Sequence, residues 1–334
     1  MKSNRSFSEL GIRVSLASIP NETGIGNLGT TAKKVVDLAE SVNLKYVQFD
    51  TTCESFSNWS VFAGNPVFID LKPLSDAGLI KRSLYSTDFQ IQTHMDLLKE
   101  AYGRAIRGGL LCSPNYIDFK KQNSYWIYNY GFFMAYRDAY KGKSVYDWDK
   151  SIRDRDLRFM DIVRTLLNDS IEFYMYIQYL YFSQLAELRK YANERRIKLI
   201  EFPIQPSEGT VDIWAHRKLF KVDDNLRNKG DLILFDFSSN FEIRLQWWIE
   251  RIKHSVAVFD VVDMSILEPW GISSDSIYGC IFTSDVEEIL KAAIPTAIFM
   301  ECVQEAVTGD ILNLFEKEEI LDIHLIRCEN KSEG

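Results

Sequence analysis

Several carboxylates stand where predicted strands end, and barrel enzymes place their catalytic groups at such positions. Asp260 and Asp263 lie in and at the end of a predicted strand near residue 261, and Glu301 closes another near residue 298. Asp50 and Glu201 end two further strands. Because the carboxyl ends of barrel strands meet at one face, two such groups could serve as nucleophile and general acid on a glycosidic bond. The same pattern is also typical of helix caps and of ion pairs at the mouths of loops.

A glycine-rich turn, Gly24-Ile25-Gly26-Asn27-Leu28-Gly29, resembles the fingerprint of a dinucleotide-binding loop. The strand before it ends several residues too early, at Ser18-Ile19-Pro20. Asp50 lies at about the right distance but without clear ribose-binding geometry. We therefore favour a turn before a helix over a nucleotide site. The sequence contains neither a P-loop motif nor a G-x-S-x-G elbow.

The composition is that of an acidic globular protein. The 334 residues are 46% apolar and 26% charged, and 39 basic against 47 acidic side chains give a net charge of −8. Such a chain can bury a full core. Without a basic block, it is a poor candidate for binding nucleic acid or an anionic membrane. No apolar run approaches the roughly 20 residues of a membrane span, and no secretory signal is recognised after Met1.

The cysteines and histidines favour a reduced protein without a metal. The five cysteines are odd in number and lack CxxC spacing, which is typical of free thiols in the cytoplasm, the compartment that we expect. The four histidines lie far apart and form no HExxH motif, so we expect neither a zinc site nor another cofactor. These residues are Cys53, Cys112, Cys280, Cys302 and Cys328, and His94, His216, His254 and His324.

Alternating strands and helices predict an α/β fold with a parallel sheet. Strand-like segments lie near residues 12, 47, 199, 261, 298 and 324, and helices are predicted at 31–42, 245–256, 286–292 and 310–315. Six strands fall short of the eight in a closed (β/α)8 barrel. An incomplete barrel exposes two sheet edges. We expect the helical middle of the chain, the tail, or a protein partner such as a second copy to cover them.

A helical segment in the middle of the chain separates two groups of βα units. Residues 1–88 hold the first βα units, 89–196 a helical insertion subdomain, 197–328 the remaining βα units and 329–334 a polar tail. Two aromatic clusters in the insertion recur at helical spacing, which is typical of a buried core, and a sugar-stacking platform is the alternative. The clusters are Tyr125, Trp126, Tyr128, Phe132, Phe133 and Tyr136, and Phe173, Tyr174, Tyr176, Tyr179, Tyr181 and Phe182.

Five collinear segments over about residues 8–326 resemble the amylomaltases, the 4-α-glucanotransferases of glycoside hydrolase family 77. They are 11–29 with the glycine turn, F-A-G-N-P-V-F-I-D-L at 62–71, Y-N-Y-G-F-F-M-A at 128–135 with 178–184 and 191–194, V-D-I-W-A at 211–215, and W-W-I-E-R at 247–251 leading to F-D-V-V at 259–262. The resemblance implies a (β/α)8-type (TIM) barrel with helical insertions, here incomplete. It also implies transfer of α-1,4-glucan segments between maltodextrins by a retaining mechanism. On the same basis, Asp212, Trp214, Asn65 and Trp59 are candidate substrate-binding residues.

The positions that carry the chemistry in that family differ in this chain. The family's V-V-R-I-D-H-F-R-G reads V-V-D-M-S-I-L-E-P at 261–269, so Ser265 stands at the nucleophile position and Asp263 at an arginine position. Glu301 falls on the acid/base position, and the aspartate after strand seven has no counterpart. Asp263 shares a strand face with Ser265 but lies about 6–7 Å away along the strand. Retaining chemistry does not tolerate that displacement.

Three functions are therefore open. We expect a 4-α-glucanotransferase-family protein of carbohydrate metabolism that has become a pseudoenzyme, with lost or impaired catalysis. The first alternative is an active α-glucan transglycosylase, a glycosyltransferase that uses Glu301 as acid/base. The second is a non-catalytic binding or scaffold protein.

Overall fold

In the residues that the structure describes, six strands form the sheet, one at each predicted place. The computed structural model describes residues 9–22, 24–53, 56–81, 90–204, 206–227, 241–263, 292–305, 309–320 and 322–329. The strand predicted at 297–300 begins at Phe299 and continues to Glu305, so it is longer than expected. The strands are β1 (Glu9–Ser15), β2 (Tyr46–Asp50), β3 (Lys198–Ile200), β4 (Val262–Asp263), β5 (Phe299–Glu305) and β6 (Ile323–Glu329).

Helices surround the sheet and dominate the middle of the chain. Three of the four predicted helices are α1, α10 and α11 below, and the fourth, at 286–292, lies outside the described residues except for its last position. The division of the chain at residues 89 and 197 stays a prediction. The helices are α1 (Thr30–Ser41), α2 (Lys72–Asp76), α3 (Ile91–Arg107), α4 (Pro114–Gln122), α5 (Ile127–Ala139), α6 (Lys150–Arg153), α7 (Leu157–Leu166), α8 (Asn168–Glu194), α9 (Val211–Ala215), α10 (Phe241–Val258) and α11 (Gly309–Lys317).

The sheet is mixed and nearly closes on itself, in the order β3-β2-β1-β6-β5-β4. The expectation of a purely parallel sheet is wrong at one strand, because β6 is antiparallel to both β1 and β5. The expectation of two exposed edges is also wrong. The first and last strands pair directly from Glu9–Cys328 to Val14–Ile323, and a parallel bridge between Ile200 and Val261 joins β3 to β4. In the described strands, closure therefore needs no cover from a partner.

The two faces of the sheet have different surroundings. Alternate strand residues such as Ile12, Val47 and Phe299 pack against the helices in one large apolar core. The intervening residues form a second, small cluster of five buried side chains that come from β2, β3, β6 and the residue before β4. Because these strands lie around the nearly closed sheet, the cluster fills the interior of the barrel. This interior cluster consists of Tyr46, Ile200, Val261, Ile326 and Cys328, with Met300 and Cys302 against it.

The aromatic clusters are mainly core, as the helical spacing predicts. Nine of the twelve side chains are buried, and their rings pack between α5, α8 and α9. For example, the Phe132 and Trp214 rings stack with centroids 5.7 Å apart. Tyr125 and Tyr179 are only half-buried, and Tyr128 is exposed. A few rings at the edge of the aromatic core are therefore partly accessible to solvent.

Two buried glutamines of α8 fix the loop 62–71. Gln178 accepts a hydrogen bond from the Gly64 amide (2.8 Å) and donates to the Gly64 carbonyl (2.9 Å). Gln184 makes the same pair of bonds with Asp70, both at 2.8 Å. Each side-chain amide thus replaces a strand partner for a buried peptide group, which would be costly to leave unpaired.

Replacing Gln178 by leucine should destabilise the fold strongly. The variant leaves the buried amide and carbonyl of Gly64 without these partners, at a cost of about 1–3 kcal/mol for each unsatisfied group. Urea unfolding followed by circular dichroism measures the effect. Gln92→Leu is the matched control, because its amide bonds Asp96 on the exposed surface of α3, and it should change stability by less than about 1 kcal/mol. Equal effects of both variants would contradict a role for Gln178 in holding the loop 62–71.

Gly11 is required by the close approach of β1 and β2. A Cβ at this position would lie 2.6 Å from Tyr46 Cβ and 2.8 Å from the Tyr46 carbonyl oxygen. Gly11→Ala should therefore destabilise the protein by about 1–3 kcal/mol in urea unfolding, because backbone must move. Gly103→Ala in α3 has its nearest neighbour at 3.8 Å and should be neutral or stabilising by up to about 1 kcal/mol. A neutral Gly11→Ala variant would be inconsistent with the sheet register.

Candidate functional site

Asp263 ends β4 inside the barrel and is held across the interior by one residue of β1 and one of β2. Its carboxylate accepts a hydrogen bond from Gln48 Nε2 (2.9 Å) and lies 3.7 Å from the Arg13 guanidinium. Arg13 Nε in turn donates to Gln48 Oε1 at 2.6 Å. The Asp263 side chain is only 1% exposed. The residue at the family's arginine position is therefore a buried, paired anion.

Glu301 lies on the other face of the sheet. Asp263 pairs in register with Met300 of β5, and Met300 and Cys302 both contact the interior cluster. Because side chains alternate along a strand, Glu301 between them is directed away from the interior. The structure does not bring Asp263 and Glu301 together as a retaining pair, which needs carboxyl groups about 5–5.5 Å apart. Ser265 lies outside the described residues.

Glu201 and Arg251 form a buried ion pair beyond the end of β3. The Arg251 guanidinium lies 2.6 Å from Glu201 Oε1 and donates to Ser255 Oγ at 2.6 Å. Glu201 Oε2 is buried and accepts no hydrogen bond from the described residues. Burial and the charge of Arg251 lower the pKa of the neighbouring His254 to about 3, so its imidazole is neutral. Glu201 was recognisable as a strand-end carboxylate, whereas its pairing with α10 was not.

The two remaining strand-end carboxylates, Asp260 and Asp50, accept hydrogen bonds from nearby protein groups. Asp260 accepts hydrogen bonds from Arg189 Nε (2.9 Å), Asn193 Nδ2 (3.2 Å) and the Leu199 amide (2.9 Å). Asp50 accepts from the amide and hydroxyl of Thr52. For these two residues, the structure supports loop-mouth bonding, the alternative that the sequence left open. The glycine turn likewise leads into α1, with the Thr30 amide donating to Asp70 (3.3 Å).

Asp212 and Trp214, two candidate substrate-binding residues, are buried on α9. Asp212 accepts hydrogen bonds from Ser60 Oγ and the Val61 amide, both at 2.8 Å, and so pins the loop that follows Trp59. Burial raises the pKa of Asp212 to about 6, although these hydrogen bonds oppose the shift. Trp214 is fully buried, and its indole donates to the Ile152 carbonyl (3.1 Å).

Asn65 and Trp59, the other two candidates, flank the same loop. Asn65 is buried, accepts from the Val67 amide (3.3 Å) and donates to the Phe56 carbonyl (3.0 Å). Trp59 is half-buried, and the Arg137 guanidinium lies 4.1 Å from its ring centroid. Only Trp59 keeps part of its side chain accessible, and glucan binding by the four residues stays a prediction.

The residues that the structure describes offer neither a metal site nor a membrane-spanning helix. There, no three His, Cys, Asp or Glu side chains form an arrangement that could hold a metal ion. No helix in the same residues combines the length and apolar character needed to cross a bilayer.

A nearly closed sheet of six strands, wrapped by helices and with acidic side chains at its strand ends, defines a protein related to the (β/α) barrels. The family model described as 4-alpha-glucanotransferase matches residues 14–265. This match covers most of the chain, which therefore belongs to glycoside hydrolase family 77, and the resemblance inferred from the motifs is confirmed.

Individual relatives and a solved structure agree with this assignment. The 4-alpha-glucanotransferase of Aquifex aeolicus is 29% identical over 285 residues, 75% of this chain and 57% of the relative. That of Clostridium butyricum is 25% identical over 286 residues, 74% of this chain and 58% of the relative. The chain thus spans little more than half of these proteins. The amylomaltase of Streptococcus agalactiae in complex with acarbose shares the fold, with a TM-score of 0.71 and 21% identity over 93% of this chain and 72% of that one.

The raised pKa of Asp212 predicts a pH-dependent stability. A carboxyl with a pKa of about 6 when folded and about 3.9 when unfolded favours the fold most at low pH, and this contribution is lost as pH rises through 6. Between pH 5 and 7, the wild type should lose about 1 kcal/mol relative to Asp212→Asn. Urea unfolding of both proteins at the two pH values measures the difference. A constant difference would show that Asp212 ionises normally.

Proposed function

We propose that this chain is a pseudoenzyme of the 4-α-glucanotransferase family, related to α-1,4-glucan metabolism but with lost or strongly impaired transfer activity. The observation that carries the proposal is the placement of Asp263 and Glu301 on opposite faces of adjacent strands. Retaining glycosyl transfer needs a nucleophile and an acid/base on the same side of the sugar site, about 5–5.5 Å apart.

The surroundings of Asp263 give a second reason. A nucleophilic carboxylate must reach the sugar carbon, whereas Asp263 is buried and engaged by Arg13 and Gln48. The family's nucleophile position holds Ser265, and a serine hydroxyl needs an adjacent base before it can attack. The arrangement is therefore that of a retained scaffold with altered chemical positions.

A glucan remains the ligand that the family supports. The relatives are named for 4-alpha-glucan transfer, and we carry only glucan handling to this chain, which covers part of their length. The alternative of a transglycosylase based on Glu301 keeps one observation in its favour, because Glu301 is only half-buried. A protein partner, including a second copy, and a cytoplasmic location also stay predictions.

Incubation with maltotriose tests the loss of transfer. The purified chain should leave the maltotriose peak unchanged in chromatography of the products, with a rate roughly 10⁴-fold or more below that of an active relative. The Streptococcus agalactiae amylomaltase, assayed in parallel, is the positive control.

The variant Glu301→Gln separates trace activity of this chain from contamination. If transfer is lost, wild type and variant should give the same blank result. A ladder of glucose, maltose and longer dextrins that disappears in Glu301→Gln would overturn the proposal and establish Glu301 as the acid/base.

A further inference from the structure

A cleft of about 370 Å³ opens where α4, α8 and α10 meet the start of α5. It lies outside the barrel, and neither Asp263, Glu301 nor any residue of the interior cluster lines it. Its volume is within the range of small-molecule sites, about 300–1,000 Å³. Its walls are aromatic, with Phe119, Tyr179 and Phe182 among the lining residues, and its rim is polar, with Asn123, Glu250 and Lys253.

The aromatic wall of the cleft is formed by rings at the edge of the aromatic core, where they are partly accessible to solvent. Phe119, Tyr125 and Tyr179 are half-buried, unlike most of the rings around them. The Phe119 and Tyr179 centroids are 5.6 Å apart, and Phe119 lies 6.2 Å from Phe182. Trp126, which is buried, packs 6.0 Å from Phe182 below them. Tyr179 also packs against Tyr116, with centroids 5.4 Å apart, and Tyr125 stacks on His216 at 5.5 Å, so these rings are held by contacts on their buried side.

The polar rim is also fixed, and its charges balance. Glu250 Oε1 accepts hydrogen bonds from Gln246 Nε2 (2.8 Å) and Lys253 Nζ (3.2 Å). Asn123 Oδ1 accepts from the indole of Trp126 at 3.1 Å. One carboxylate beside one ammonium group gives no net charge. The rim therefore matches a neutral ligand with many hydroxyls better than an anion or a cation.

We propose that this cleft binds a glucose unit of an α-1,4-glucan, at a site separate from the barrel. A pyranose ring has apolar C–H faces that pack on aromatic rings, and its equatorial hydroxyls bond carboxylate, amide and ammonium groups at the edge. The wall and rim of the cleft supply these two kinds of contact together. The choice of an α-linked glucan as ligand rests on the proposed function.

Calorimetric titration of the whole chain with maltotriose tests the site. Tyr179→Ala removes part of the wall, and Ala186→Trp fills the cleft from an exposed position on α8 that lines it. Each should weaken binding at least tenfold. Tyr128→Ala, an exposed aromatic of α5 outside the cleft, should leave the affinity unchanged. Because Ala186→Trp removes no packing, it decides the question even if Tyr179→Ala fails to fold.

The outcomes separate this site from the proposed loss of catalysis. Absence of maltotriose binding, or binding that Ala186→Trp does not weaken, would overturn the site whatever the transfer assay shows. Transfer activity together with binding that is sensitive to Ala186→Trp would overturn the pseudoenzyme and keep the site. Cellotriose, with β-1,4 links, should bind at least tenfold more weakly, and equal binding would overturn the assignment to α-linked glucans.

Discussion

The pairing of β6 with both of its neighbours is the constraint on which the sheet depends. This strand is antiparallel to β1 and to β5 and fills the gap between them. Without it, β1 and β5 would each expose a row of unpaired peptide groups. With the bridge from Ile200 to Val261, six strands can enclose an interior that eight parallel strands usually enclose. The interior of this narrow sheet is small, and the side chains of the interior cluster fill it.

The same pairing determines what the strand-end carboxylates can do. The register of β5 against β6 continues from Glu301 to Glu305, so β5 does not end at the acid/base position as the motif suggested. Alternation along this longer strand directs Glu301 outward and Cys302 inward. Asp263, on the inner face, meets Arg13 and Gln48 instead. Strand pairing thus places Asp263 and Glu301 on opposite faces of the sheet, whereas the two carboxyl groups of a retaining pair lie about 5–5.5 Å apart at one site.

The long helix α8 connects the barrel to the rest of the molecule. Its glutamines hold the loop 62–71 through peptide-like hydrogen bonds, and its aromatic side chains form the core with α5. The face of α8 that carries Tyr179 and Ala186 lines the cleft beside α10. One helix therefore supports both the loop beside the candidate binding residues and the separate aromatic cleft, which explains why its aromatic spacing fits both a core and a sugar platform.

The sequence by itself determined the positions of the strands, the helical middle, the aromatic core and the family, because these depend on periodicity and on short motifs. It also identified Asp263 and Glu301 as the strand-end carboxylates nearest to the family's catalytic positions. Only the tertiary structure decided the direction of β6, the closure of the sheet, the face on which Glu301 lies and the opening of the core at Tyr179. Local patterns cannot encode such features, since they depend on contacts between distant residues; Gln48 and Asp263 are 215 positions apart.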